Sequence, residues 1–315
     1  TAKVPEKDRQ IPVCQSAQSH QDFILYGFDL LQKQVNPRGY YFDMSQPENC
    51  NNVYHGCGYK DNLGQYHSTF NILGTRELVK RIYMHLKEHR PDGIILYHNS
   101  GQVIMPVHSF ADLWLDGENT YSRLDRKNNR GYENILTLDT YRAEYMGHNF
   151  GTIVGLLPQF TRAGSIRPEE SQEVGPEHAE YILGLTLLHD SQLWIAYFYD
   201  DQPLKDMYRA LAEHNFANGD YKFIPYWSQK ITQQMDENNA VASFYVDAKK
   251  KKALMVLMNM SGEEKPFLIR INTDNLGFSP QTVINACHKE KVSLTSNTLT
   301  IEKFPSHTYR LIVLE

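Results

Sequence analysis

At 315 residues, with 41% apolar and 22% charged side chains, the chain has the composition of a soluble globular protein of one large or two smaller domains. A net charge of −5 leaves no electrostatic footprint for nucleic acid. No run of about 18 apolar residues is present to cross a membrane as a helix, so neither nucleic acid nor membrane insertion is expected.

The first residues are polar and irregular. Ser19, with Asp22 at the third helical position, predicts a helix N-terminus. Phe23, Tyr26, Leu30 and Leu31 follow at helical spacing, and Asn36-Pro37 stops the helix. Residues 39–43, GYYFD, read as a short aromatic strand running into an acid, and residues 44–65 as a long loop. Residues 75–90 form a clear amphipathic pattern with Leu78, Val79, Ile82, Tyr83 and Leu86 on one face, closed by Pro91-Asp92-Gly93. Residues 94–98, IILYH, then read as a buried strand. Residues 110–121, FADLWLDGENTY, carry an apolar strand into two carboxylates, Asp116 and Glu118, separated by Gly117. A helix over 137–148, a strand over 152–157 and helices from Pro176 and Pro203 follow, the last with Asn218-Gly219 as its cap.

Alternating helices and short apolar strands predict βα units around a parallel sheet. From residue 221 six strands follow without helices between them, which predicts a small antiparallel β-sandwich. The expected domains are therefore 1–220, a β/α region, and 221–315, an all-β region. Residues 249–252, four lysines, read as a solvated hairpin tip. The first region supplies about four parallel strands, against the eight of a closed (β/α)8 (TIM) barrel. Either the sheet is open, or it is the C-terminal half of a barrel whose N-terminal half lies outside this chain. The absence of an initiator Met and the irregular opening favour the second expectation.

In parallel α/β architectures the residues just beyond the strand C-termini line the site. Asp43 ends GYYFD, His98 ends IILYH, Asp116 and Glu118 follow ADLWL, and Gln159 follows GLLP. Acids, an imidazole and an amide on one rim suit acid/base chemistry on a polyol. Each has an ordinary reading too: a loop-capping acid, a satisfied core histidine, a surface Asp-Gly turn. The 20 Tyr, 14 Phe and 3 Trp offer faces on which pyranose rings stack, although most will simply fill a β-rich core.

No GxSxG elbow, Walker loop, GxGxxG or HExxH occurs. His85 and His89, four apart on a charged face, read as solvated. Cys14, Cys50, Cys57 and Cys287 lack CxxC spacing; Cys50 and Cys57 flank a polar loop and are either a disulfide or isolated thiols. No metal or cofactor is expected.

The order GYYFD, Cys57-Gly58-Tyr59, TRELVKRIYMHLKEHRPD, LYHNSG and SFADLWLDGENTY, followed by LLHD (187–190), FIPYW (223–227) and LMVLMNMSGEE (254–264), resembles the C-terminal half of a glycoside-hydrolase barrel with its closing sandwich. It is most similar to an uncharacterised bacterial family related to glycoside hydrolase family 123, the β-N-acetylgalactosaminidases. The resemblance implies cleavage of glycosidic bonds in an oligo- or polysaccharide outside the cytoplasm, periplasmic or secreted. Family 123 uses an adjacent Asp-Glu pair, whereas Gly117 separates Asp116 from Glu118 here. Glu118 is the expected general acid, and Asp116 or Asp43 the second carboxylate. Tyr41, His98, Asn99, Gln159 and Arg162 are expected to hold sugar hydroxyls. A non-catalytic carbohydrate-binding protein on a degenerate barrel, or an inactive fragment of a larger glycosidase, is the alternative.

Overall fold

A computed structural model describes residues 13–43, 46–99, 103–123, 131–146, 151–158, 176–194, 201–217, 221–228, 231–233, 239–288 and 291–315. The chain divides into two units, Thr1–Asp116 and Gly117–Glu315.

The first unit begins with α1 (Gln18–Val35) and β1 (Gly39–Phe42), then four two-residue strands: β2 (Asn49–Cys50), β3 (Tyr59–Lys60), β4 (Tyr66–His67) and β5 (Thr69–Phe70). Next come α2 (Ile72–His89), β6 (Ile94–His98), the single turn α3 (Met105–His108) and β7 (Leu113–Asp116). The α1 helix starts before Ser19, because His20 and Gln21 both bond the carbonyl of Ala17, and Ala17 caps through no side chain. Asn36 ends it in the left-handed region (φ 51°), its N–H returned to Leu31 and Gln32, and Pro37 bars continuation. The residues α1 buries are Gln21 and Gln32, while Phe23 is 70% and Tyr26 61% exposed. Helical spacing identifies this helix, but the spaced residues Phe23, Tyr26, Leu30 and Leu31 are not the ones it buries.

In α2 the expected face is the buried one, with Leu78, Val79, Ile82 and Leu86 covered and Tyr83 only half so. Strand β6 pairs in parallel with β1 on one side (Gly39 opposite Ile94) and with β7 on the other (His98 opposite Leu115). The apolar run IILYH shows no alternation in sequence, yet Ile95 and Tyr97 are fully buried whereas Ile94 is exposed and Leu96 half-buried, so one face of the strand is the better covered. Beneath it, His108 sits edge-on to Tyr97 at 4.4 Å and to Trp114 at 5.6 Å, and the Trp114 indole N–H donates to the His108 carbonyl at 3.1 Å.

The second unit carries α4 (Leu138–Glu144), β8 (Ile153–Leu156), α5 (Pro176–Leu188), β9 (Gln192–Leu193) and α6 (Gln202–Glu213). Strands β8 and β9 pair in parallel, Gly155 opposite Gln192. Helix α6 ends at His214, ahead of the expected Asn218-Gly219 cap, which lies outside the described residues. Then follow β10 (Lys222–Ile224), β11 (Thr232–Gln233), β12 (Ala240–Asp247), β13 (Lys252–Asn259), β14 (Lys265–Ile271), α7 (Thr273–Leu276), β15 (Val283–Asn285), β16 (Val292–Thr295), β17 (Thr298–Phe304) and β18 (Tyr309–Leu314).

These strands pair antiparallel in two sheets, ordered β10-β12-β13-β18-β15 and β11-β14-β17-β16. Phe244, Met255, Leu257 and Ile312 of one sheet and Ile269, Ile271, Leu299 and Ile301 of the other belong to one apolar core. The lysine-rich turn joins β12 to β13, with Lys250 paired to Asp247 at 3.0 Å.

Strand β13 is buried along almost its whole length because α5 covers the face turned away from that core. The boundary expected near residue 220 thus falls within the second unit. Gly184 of α5 permits the approach: a Cβ there would lie 2.7 Å from the Met258 sulfur and 2.9 Å from Tyr309 Cβ. Gly184→Val is expected to cost about 1–3 kcal/mol by overpacking, read as a lower urea midpoint at unchanged slope. A midpoint equal to the parent's would show that this contact yields freely.

Candidate functional site

The C-terminal ends of β1, β6 and β7 lie side by side because the three strands are parallel and consecutive in the sheet of the first unit. Tyr41 and Asp43 come from the end of β1. His98 closes β6, with Asn99 after it, and Asp116 closes β7. The Tyr41 hydroxyl lies 2.6 Å from His98 Nδ1, and an Asp43 carboxylate oxygen lies 3.3 Å from the same nitrogen. That nitrogen therefore faces a phenol and a carboxylate together. His98 is buried, whereas Tyr41 and Asp43 are open to solvent, so a buried imidazole bears two exposed polar partners.

Next to it, Asn99 donates from Nδ2 to Asp116 Oδ2 at 2.9 Å, and its backbone N–H donates to the Leu115 carbonyl at 2.7 Å. Asn99 is only 1% exposed. Expected to meet a sugar, its side chain instead fixes the Asp116 carboxylate.

Five of the residues singled out in the sequence thus form two contacting groups on adjacent strand ends, Tyr41–Asp43–His98 and Asn99–Asp116. Glu118, one residue into the second unit, is the first residue of a 3-10 helix, Glu118–Arg123. Gly117 before it has φ 120°, and the Thr120 N–H returns to the Gly117 carbonyl at 3.0 Å. Gln159 and Arg162 lie outside the described residues.

Within the second unit, LLHD and FIPYW meet. The His189 ring stacks on Trp227 with centroids 5.7 Å apart and stands edge-on to Tyr226 at 5.5 Å. The Arg142 guanidinium lies over the other partner's ring, 5.6 Å from the Trp227 centroid. His189 Nδ1 is 2.7 Å from the Leu185 carbonyl, the i−4 position of its own helix end. A fully buried histidine in an aromatic box is a structural element, and the two motifs are linked by packing.

The charged-face reading of His85 and His89 needs amending. Their rings are 4.5 Å apart, and His85 turns inward to within 3.8 Å of Asp29 on α1.

Burial holds both His108 and His189 down to about 4, from an ordinary value of 6.5. Each must stay neutral in the folded chain and takes up a proton more readily when unfolded. Stability is accordingly full above about pH 6.5 and falls as the pH drops towards 4, by a few kcal/mol in all. Urea midpoints should decline steadily from pH 7 to 4.5. A flat profile over that interval would contradict the neutral buried state.

No family model matches the chain, and no curated protein matches it. Among solved structures it is similar to a noncanonic maltogenic α-amylase from Thermotoga neapolitana, at TM-score 0.54 and 9% identity, over 99% of this chain and 71% of that one. An α-amylase from Geobacillus thermoleovorans, solved with acarbose, matches at TM-score 0.58 and 8% identity over 96% of this chain and 65% of its own. A glycoside hydrolase family 30 xylanase from Clostridium acetobutylicum matches at TM-score 0.50 and 8% identity, over 94% and 71%. The chain spans about two thirds of the length of these enzymes. At such identities the likeness is one of fold: an α/β chain with a parallel sheet, like that of the TIM-barrel glycosidases.

Proposed function

We propose that the chain is a glycoside hydrolase acting on an oligo- or polysaccharide at the C-terminal ends of β1, β6 and β7. The observation that carries this reading is the hydrogen-bonded set on those strand ends, Tyr41, Asp43 and His98 beside Asn99 and Asp116. Parallel α/β folds bind ligands at that edge. Asp116, held by the Asn99 amide, is the carboxylate that stabilises or attacks the anomeric carbon. Glu118, two residues on, is the general acid that protonates the leaving oxygen. Tyr41 and Asp43 take sugar hydroxyls through their exposed polar atoms, and His98 positions both through Nδ1.

On this reading the parallel strands are the C-terminal half of a (β/α)8 barrel, and the two antiparallel sheets are its closing β-sandwich. The outward apolar residues of α1, Phe23 and Tyr26, are of the kind a continuing barrel would cover. The relation to family 123 and the extracytoplasmic location belong to the same proposal and rest on the motif order alone. The enzymes of similar fold include amylases and a xylanase, so the scaffold leaves the sugar open.

The test is product release from a panel of α- and β-linked aryl glycosides and oligosaccharides, with sugar binding followed in parallel by calorimetry. Turnover of one linkage class supports the reading. Sugar binding without turnover would replace it with a non-catalytic carbohydrate-binding protein.

A further inference from the structure

The stretch from Asn49 to Phe70 in the first unit is built almost without a core. Its regular structure is two pairs of two-residue strands, β2 with β5 and β3 with β4, and Cys57 is its one buried residue. Tyr54 is 93% and Leu63 84% exposed. A segment with so little apolar burial needs another source of order, and small folds commonly take it from a disulfide or a metal.

Around Cys57 the chain brings together three thiols and an imidazole. Cys14 arrives from the turn ahead of α1, Cys50 from the end of β2, and His55 from the 3-10 turn Val53–His55. One ligand atom from each of Cys14, Cys50, His55 and Cys57 lies within 4.8 Å of all the others. The Cys14 and Cys57 sulfurs are 3.6 Å apart, and Cys50 Sγ is 3.9 Å from His55 Nδ1. A tetrahedral zinc with ordinary Zn–S and Zn–N bonds requires separations of about 3.8 Å between sulfurs and about 3.6 Å from sulfur to nitrogen.

Two N–H donors of a ligand shell are in place. Asn71, buried, donates from Nδ2 to Cys14 Sγ at 3.2 Å, while its Oδ1 accepts from the Cys57 thiol at 3.2 Å, a bond given up when Cys57 loses its proton to become a ligand. The Asn52 N–H points at Cys50 Sγ, 3.4 Å away. Such N–H···S bonds orient thiolates and offset their charge. All four cysteines are free thiols.

We propose that Cys14, Cys50, His55 and Cys57 form a structural zinc site. Three thiolates and a neutral imidazole complete the tetrahedron, so the site is closed and holds no reactive water. Loading releases the thiol protons to solvent, and affinity therefore weakens as the pH falls. The ion would tie the chain ahead of α1 to the residue 49–70 excursion, which β1 and α2 flank in sequence.

The test measures metal in the full chain purified without chelator, and then cobalt(II) added to the chelator-stripped protein. The expected result is about one zinc per chain, and a cobalt complex showing the ligand-field and thiolate charge-transfer bands of a tetrahedral cysteine-rich site. Cys14→Ser and Cys57→Ser should each lower metal content at least tenfold, and His55→Ala should shift the cobalt spectrum. Cys287→Ser, in the second unit, should change neither. Stripping the metal should make residues 49–70 the first site of proteolysis. A chain with less than a tenth of an equivalent of zinc and no cobalt bands would overturn the proposal. A Cys14–Cys57 or Cys50–Cys57 disulfide in non-reducing peptide maps of the freshly isolated protein would overturn it too.

Discussion

Glu118→Gln is expected to lower kcat on an oligosaccharide by about 10²–10⁴-fold while KM stays near the parent's, because an amide of the same shape cannot protonate a leaving oxygen. The loss should shrink on aryl glycosides whose phenolate leaves without a proton, which separates an acid role from a binding role. The limb of the pH–rate profile reporting the acid should vanish together with the activity. Asp116→Asn is expected to be as severe but even across leaving groups, since a charge stabiliser acts on the sugar ring and not on the departing oxygen. Asn at 116 also sets an amide against the Asn99 Nδ2 donor, 2.9 Å from the present carboxylate oxygen. Equal losses for Glu118→Gln on good and poor leaving groups would remove Glu118 from the acid role.

Gly117→Ala is expected to destabilise the chain by about 2–5 kcal/mol, combining backbone strain with overpacking. Gly117 has φ 120°, a conformation that side chains rarely adopt, and it stands between the two carboxylates. A Cβ at this position would come within 2.7 Å of Leu156 Cδ1 and 2.9 Å of the Leu157 carbonyl oxygen. The leucine methyl could swing aside, but the carbonyl belongs to the backbone following β8 and cannot. Urea unfolding gives the stability loss, and any activity should fall with it because the turn carries Asp116 into Glu118. A change within about 0.5 kcal/mol, the range of an ordinary surface substitution, would mean the turn relaxes.

Much of this architecture was legible in the sequence. Continuous apolar runs mark β6 and β7 as strands of a parallel sheet, although Ile94 at the start of β6 is exposed, and the polar residue that ends each run marks the strand's C-terminal edge. That is how Asp43, His98 and Asp116 could be chosen together, and the structure brings Asp43 to His98 and Asn99 to Asp116.

Less legible was anything decided by which way an element turns. The α1 pattern names a helix, yet Phe23 and Tyr26 face outward while Phe28 packs on Tyr40 at 4.4 Å and two glutamines are buried, since glutamine buries well when its amide finds partners. Gln32 accepts from the Tyr40 hydroxyl at 2.9 Å, and Gln21 donates to the Gln15 carbonyl at 2.8 Å. Two-residue ladders such as β2–β5 are too short to show a period. The thiol cluster escaped because no two cysteines hold CxxC spacing. Cys14 comes from before α1 and His55 lies between the other two, so only the fold assembles the set. In hindsight Cys50, His55 and Cys57 within one apolar-poor loop were the available signal.

The glycosidase reading is tested most directly by locating a sugar. Crystals of Glu118→Gln soaked with an oligosaccharide that the parent cleaves should show the scissile sugar at the ends of β1, β6 and β7. Its hydroxyls should lie within about 3 Å of Tyr41 or Asp43, and its anomeric carbon should face Asp116. A parent that cleaves none of the panel, or a sugar bound by other residues with those strand ends empty, would contradict it.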